Sequence, residues 1–463
     1  MNPVRGEARA TYAAFTRQTP VLGDCRGFSC QPAGGILLLK LGEPMKTTAE
    51  QPPGAGASKS AVNVDAAQAE VANPPTLLSS GASPAGLLPA PALVGDFDLL
   101  HLPFPHQYSA GARNAVTACL RVQRQEKVTL ITDEATLQIA AALAAELDHV
   151  GCQWNAFVLE TEAEVEVAAE TRSRVLPPTT SPSQVKTARP LAAMPRAILD
   201  DMETSQVSIF AVQTQPHELH SRMQMTDVVN RRRMRHANMA GITGEIMMQG
   251  MCADFDEVDR ISQAVLDKVR AASYLRATTA TGTDIHAQFD PEYRWLKSSG
   301  VVSKERWCNL PGGECFTTPA EVNGVFVVDG VAGGVLAARY GLLRDHPLTI
   351  AIEGNRIARA TSANKALERD FWEITHADAN SDRVGELAIG TNVGVNRLIG
   401  NILQDEKFPG VHLAFGDPYG AHTGAAWKSS THVDVVGLGF SVWLGDAHGE
   451  EQIMRDGEFT LES

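Results

Sequence analysis

The sequence predicts a chain of two folded parts, an N-terminal α/β domain on parallel strands and a C-terminal β-rich domain. Three observations carry this. From about residue 96 to 271, short apolar runs alternate with segments of helical spacing, the strand–helix–strand order of an α/β layer. Beyond about 272 the apolar runs become short and β-type, with one helix among them. The length of 463 residues suffices for two domains of ordinary size. The expected boundaries are an extension over 1–95, an α/β domain over 96–280 and a β-rich domain over 281–463.

Each element has its own reason. Pro52, Pro53, Pro74, Pro75, Pro84, Pro89 and Pro91 stand among Ala, Ser and Gly. That composition buries too little apolar surface to offset the entropy of ordering, so 1–95 is expected to be a disordered Pro/Ala-rich extension. Residues 112–122 and 135–147 have helical spacing, while 128–132 (VTLIT), 157–159 and 207–212 (VSIFAV) read as buried strands. Pro177, Pro178 and Pro182 mark a loop. Helices are expected over 217–239 and 254–271, with Arg231–Arg233 and Arg235 as a solvated basic face. Residues 275–280 and 284–289 flank Thr281-Gly282-Thr283 as a hairpin. The strands 324–328, 348–352, 411–415, 433–436 and 440–444 follow, interrupted by a helix over 362–372.

Composition narrows the function. With 40 basic and 54 acidic residues the formal net charge is −14, which disfavours a nucleic-acid partner and tolerates divalent cations. No run approaches the roughly 20 apolar residues of a membrane span. The seven cysteines form no CxxC pair, so neither a disulfide scaffold nor a cysteine zinc site is expected, and a reducing cytoplasmic location fits. The N-terminus does not read as a secretory signal. GxxxxGK[ST], GxSxG and HExxH are all missing from the sequence, as is a GxGxxG placed between a strand and a helix.

What remains is a concentration of His, Glu and Asp near the C-terminus. Gly312-Gly313 precedes Glu314, and paired glycines let a chain turn tightly to present a carboxylate. Gly385-Glu386 precedes Gly390-Thr391-Asn392, and Asp405-Glu406-Lys407 leads into His412. His432 and Asp434 are two apart, and on a strand residues i and i+2 face the same side. An imidazole and a carboxylate then converge, as a metal site requires. His412 on another strand, with Glu314 and Glu386, would complete a donor set suited to Zn²⁺, Co²⁺ or Mn²⁺, with room for two ions. His236, Asn238 and Trp427 are further candidates for substrate contact by position alone, with packing as the simpler role.

At these residues the chain resembles the thermophilic metalloprotease family of metallo-aminopeptidases, the aminopeptidase T and aminopeptidase S group. The matching stretches are NLPGGE with FTTP (309–319), GELAIGTN (385–392), DEK with GVHLAFG (405–416), HVD (432–434) and, less closely, GTDIHAQF (282–289). The resemblance implies the two-domain architecture above, with the β-rich domain holding two divalent metal ions through Glu314, Glu386, His412, Tyr419, His432 and Asp434. It also implies a metal-dependent aminopeptidase that uses a metal-activated water, with Glu314 or Glu386 as general base, a short peptide as substrate and a homodimeric assembly. Ala425-Ala426-Trp427-Lys428 departs from the Gly-Gly-x-Asn stretch usual in the family and is expected to shape the substrate pocket. The ferrous 2,5-dihydroxypyridine dioxygenases look similar in fold and are the alternative. They hold one Fe²⁺ by two His and one Asp, place a His at the position of Glu386 and lack the counterpart of Glu314.

Overall fold

A computed structural model describes residues 99–161, 186–189, 191–213, 218–305 and 307–461. The expected extension over 1–95 and the proline loop at 177–182 lie outside the described residues. Among the described residues, no helix is long and apolar enough to cross a membrane.

The first layer is a six-stranded parallel sheet. Its order is Lys186–Arg189, Gln153–Thr161, Lys127–Asp133, Val207–Ala211, Arg235–Asn238 and Cys308–Asn309. Val128, Leu130, Val207 and Ile209 pack against the helix Leu137–Val150, while Ile131 and Phe210 face the other side toward Ile198 and Val229. Burial on both faces explains why these strands read as continuous apolar runs. The final strand belongs to a segment well past 280, so the chain returns to this sheet after starting the β-rich part.

One expectation over this stretch is corrected. The predicted helix over 217–239 ends early: the helix Leu219–Arg232 stops at Arg233, a left-handed residue with φ +52°, and Arg235–Asn238 is a strand paired in parallel with Val207–Phe210. The competing signal was tertiary, because His236, Ala237 and Asn238 alternate poorly but fill a buried place in the sheet between Val207–Ala211 and Cys308–Asn309. The basic patch is consequently split. Arg231 pairs with Glu203 and Arg233 with Glu305 at the surface, whereas Arg235 is mostly covered and pairs with Glu126.

The β-rich part is two antiparallel sheets packed face to face. One has eight strands, from Arg356–Ser362 at one edge to Glu458–Phe459 at the other, and contains the expected hairpin Tyr274–Thr278/Asp284–Phe289. The other has six, in the order Val331–Ala332, His432–Val436, Gly410–Gly416, Val384–Gly390, Glu314–Thr317 and Leu296–Ser298. Phe326, Ile350, Val442 and Leu444 of the first share one core with Leu387, Ile389, Leu413, Phe415, Val433 and Val435 of the second. Each such side chain contributes about 1.5–3 kcal/mol when fully buried. This core fixes which face of the six-stranded sheet is left for chemistry.

Candidate metal centre

The chemistry-bearing residues follow from strand periodicity. In the six-stranded sheet Cys315, Leu387, Ile389, Leu413, Phe415, Val433 and Val435 point into the core. Their even-numbered neighbours Glu314, Glu386, His412, His432 and Asp434 therefore share the opposite face. Antiparallel pairing brings them together. Ala414 is opposite Glu386 on one side and Asp434 on the other, and Ala388 is opposite His412. Two alanines at the centre leave the space that larger side chains would fill. Gly312 and Gly313 behave as expected: Gly313 has φ +130°, and a Cβ there would lie 2.5 Å from the Asn392 Cβ.

All five residues are buried, and with Glu406 they form three overlapping groups: Glu314–Glu386–His412, Glu386–His432–Asp434 and Glu406–His412–Asp434. Within each, one donor atom per residue lies within 4.8 Å of the others. His412 Nε2 is 3.4 Å from Glu386 Oε1 and 3.6 Å from Glu314 Oε2. His432 Nε2 is 3.4 Å from Asp434 Oδ1 and 3.9 Å from Glu386 Oε2. The His432 Nδ1–H donates to the Asp417 carbonyl at 2.9 Å, which leaves Nε2 as the free lone pair. Tyr419 stacks on the His432 ring with centroids 4.2 Å apart and takes a left-handed backbone conformation, φ +50°.

The electrostatics ask for positive charge. Burial pushes the Glu386 carboxyl up, and the nearby Glu314 carboxylate adds to this. Burial also pushes Glu406 up, to about 8. Burial would lower the two imidazoles, but the surrounding carboxylates outweigh it and raise both, His432 to about 10. With every carboxylate ionised and both imidazoles neutral, the state that binds metal, four carboxylates (Glu314, Glu386, Glu406, Asp434) face one ammonium, Lys407, a net of −3. Three buried polar atoms in the cluster, His412 Nε2, Tyr419 Oη and Lys407 Nζ, make no hydrogen bond of good geometry, although Lys407 Nζ is within ion-pair distance of Glu314 and Glu406. Buried polar groups are almost always paired. A cluster of hard oxygen donors and imidazole nitrogens with excess negative charge and unpaired donor atoms fits divalent cations.

The structure therefore brings five of the six sequence candidates into these groups and sets Tyr419 against them, its ring on His432. Other candidates lie elsewhere. His236 is buried one layer behind, its Nδ1 2.8 Å from Ser208 Oγ, and touches Trp307 edge-on. Asn238 donates to Asn309 Oδ1 at 2.8 Å. Trp307 and Asn309, not His236 or Asn238, line the pocket onto which the carboxylates open, together with Leu296, Phe316 and His422. Trp427 does not line it either. Arg383 lies 3.5 Å above the Trp427 ring, and the indole N–H donates to the Gly416 carbonyl at 3.3 Å. The expectation that 425–428 shapes the pocket is corrected to an anchoring role for Trp427, which ties down the loop bearing Tyr419 and His422.

Glu406 and Lys407 were missed as site residues. Asp405, Glu406 and Lys407 are all buried, and three consecutive charges just ahead of an apolar strand were the available signal. Their roles divide. The Asp405 carboxylate accepts the backbone N–H groups of Ile399, Gly400 and Asn401 and so shapes the loop. Glu406 and Lys407 enter the cluster.

Residues 246–459 match the family described as thermophilic metalloprotease (M29), a span that includes every residue of the cluster. No curated protein matches the sequence. Among solved structures, the 2,5-dihydroxypyridine dioxygenase of Pseudomonas putida KT2440 is similar at 15% identity and TM-score 0.54, covering 77% of this chain and 97% of its own. Wild-type AmpT from Thermus thermophilus is similar at 15% identity and TM-score 0.51, covering 76% of this chain and 99% of its own. At such identity the likeness shows a shared fold. The matched stretch thus ties the C-terminal part of the chain to the thermophilic metalloprotease (M29) family, and the fold as a whole is similar to that of AmpT.

Proposed function

We propose that this protein is a metallo-aminopeptidase that removes N-terminal residues from short peptides, with two divalent ions, Zn²⁺, Co²⁺ or Mn²⁺, held by Glu314, Glu386, His412, Tyr419, His432 and Asp434. The observation that carries the reading is that Glu386 belongs both to the Glu314–Glu386–His412 group and to the Glu386–His432–Asp434 group. One carboxylate shared by two ligand groups is the arrangement that holds two cations side by side. Bound there, divalent cations supply Lewis acidity toward a carbonyl and lower the pKa of a coordinated water. The protein's own groups do the rest. Glu314 and Glu386, buried at the pocket, are placed to take a proton from water and return it to the leaving amine. Leu296, Trp307 and Phe316 give the pocket apolar walls that exclude water and receive a side chain. A second copy of the chain as partner and a cytoplasmic location belong to the same proposal.

The test is metal content by elemental mass spectrometry on protein purified without a metal-affinity tag, with hydrolysis of leucyl amide measured in parallel. About two equivalents with chelator-sensitive hydrolysis supports the reading. Loaded protein that cleaves neither aminoacyl amides nor peptides overturns it. A second reading, a ferrous ring-cleaving dioxygenase, is favoured by the likeness to the Pseudomonas enzyme and by His432 with Asp434, and it is opposed by Glu386, which stands where that group has a His. About one iron equivalent, with oxygen uptake on a dihydroxypyridine and no hydrolysis, would establish it.

A further inference from the structure

We propose that Lys407 is a built-in counter-cation: it takes up one of three cation positions in the acidic cluster and thereby confines divalent metal to the two that share Glu386. The inference rests on the metallopeptidase reading above. The third ligand group, Glu406–His412–Asp434, is as compact as the other two, but it borrows His412 from one and Asp434 from the other. Lys407 is fully buried. Its Nζ lies 2.6 Å from Glu314 Oε1 and also contacts Glu406 Oε1. An isolated ammonium is costly to bury, so its place must be set by these carboxylates.

The position is built by the backbone. The Lys407 N–H donates to the Gln404 carbonyl at 2.9 Å, and the Asn392 N–H donates to the Lys407 carbonyl at 2.9 Å. This pins the residue between the strands bearing Glu386 and His412. The contact also orders Glu314. Oε1 goes to Lys407, which leaves Oε2 on the side of His412 Nε2. Charge balance completes the argument. With Lys407 the cluster is −3, so two divalent ions bring it to +1, within reach of one hydroxide, whereas three would bring it to +3. Without Lys407 the cluster is −4, so a third divalent ion brings it to +2 where it would bring the wild type to +3, and Glu406 is left without its counter-cation.

The test compares full-length wild type, Lys407→Met and the double variant Lys407→Met/Glu406→Gln. Each is stripped with chelator, reloaded with Zn²⁺ or Mn²⁺ and desalted. Metal equivalents and melting temperatures with and without metal are then read. Wild type is expected to hold about two equivalents, Lys407→Met about three, and the double variant about two again, because the added carboxylate ligand is gone. Metal-free Lys407→Met should melt well below metal-free wild type and recover on loading. Two equivalents in Lys407→Met, with a metal-free melting temperature equal to wild type, overturns the inference. If Lys407→Met fails to fold, the double variant carries the test, since it keeps the net charge of the cluster. There the metal-free form must lose more melting temperature than the loaded form, and equal losses overturn the inference. Wild type that retains no metal defeats the metallopeptidase reading, and this inference with it. That result is distinct from a wild type and a Lys407→Met that both hold two.

Discussion

Glu386→Gln is the sharpest perturbation of the centre, because the amide keeps the shape of the side chain and removes only the charge. Glu386 serves two ligand groups, so both ions should be affected together. Removing one partner of a buried charged contact costs about 3–5 kcal/mol. At about 1.4 kcal/mol per tenfold, that weakens each dissociation constant by about 10²–10⁴. An ion present at about 1,000 times its dissociation constant adds about 4 kcal/mol of stability, so two add about 8 kcal/mol. At the same free metal concentration, Glu386→Gln should keep only about 1 kcal/mol per ion or less. Denaturant unfolding with metal and with chelator reads this difference, and elemental analysis reads the occupancy. Glu314→Gln is the control: Glu314 belongs to one group, so one ion should remain with about half the stabilisation. A Glu386→Gln protein that holds one ion with wild-type affinity would refute the sharing of Glu386.

Four further outcomes are expected. His432→Ala and Asp434→Ala should each empty the Glu386–His432–Asp434 position and abolish hydrolysis, as metal analysis and a leucyl-amide assay would show. Ala414→Leu should destabilise by about 1–3 kcal/mol and expel metal without touching a ligand, because Ala414 is fully buried between Glu386 and Asp434; full metal retention in a folded variant would contradict this. Burial pushes the Asp378 carboxyl up, but hydrogen bonds from Ser430, Asn380 and Ser429 outweigh it and hold it well below the ordinary value. Asp378→Asn should therefore lower the melting temperature at pH 7, and its gap from wild type should close as pH falls below about 3.9, the unfolded value. Burial pushes His236 down to about 3, so the folded state resists the proton that the unfolded chain accepts near pH 6.5. Stability should fall from about pH 6.5 toward 3, and His236→Gln should flatten that slope in acid unfolding curves.

Much of the centre was legible because strand chemistry is local. The two-residue spacing of His432 and Asp434, and the alternation of His412 with Leu413 and Phe415, already assign these side chains to the face opposite the core. The hairpin at 274–289, the helix Phe255–Ala271 and most of the buried strands of the parallel sheet were readable for the same reason, since apolar periodicity records which side is covered. The strand Val384–Gly390 was harder: it is buried on both faces and carries a glutamate, so its pattern has no polar side to mark it.

Other features depended on contacts distant in sequence. Arg235–Asn238 becomes a strand because a neighbouring strand is there to pair with, overriding the helical spacing before it. Trp427 anchors a loop because Arg383 happens to lie over its ring. Asp405-Glu406-Lys407 stood out in the sequence as a stretch, but only the fold shows that Glu406 and Lys407 are buried against the cluster, with Lys407 on Glu314. The sequence by itself determined the residue types of the site and the face each would take, because side-chain alternation along a strand needs no partner. The tertiary structure alone decided that four strands bring those faces to one point, that Glu386 stands between two ligand groups and that a lysine is enclosed with them. Those outcomes depend on inter-strand pairing and on the desolvation of charges, which no single stretch of chain encodes.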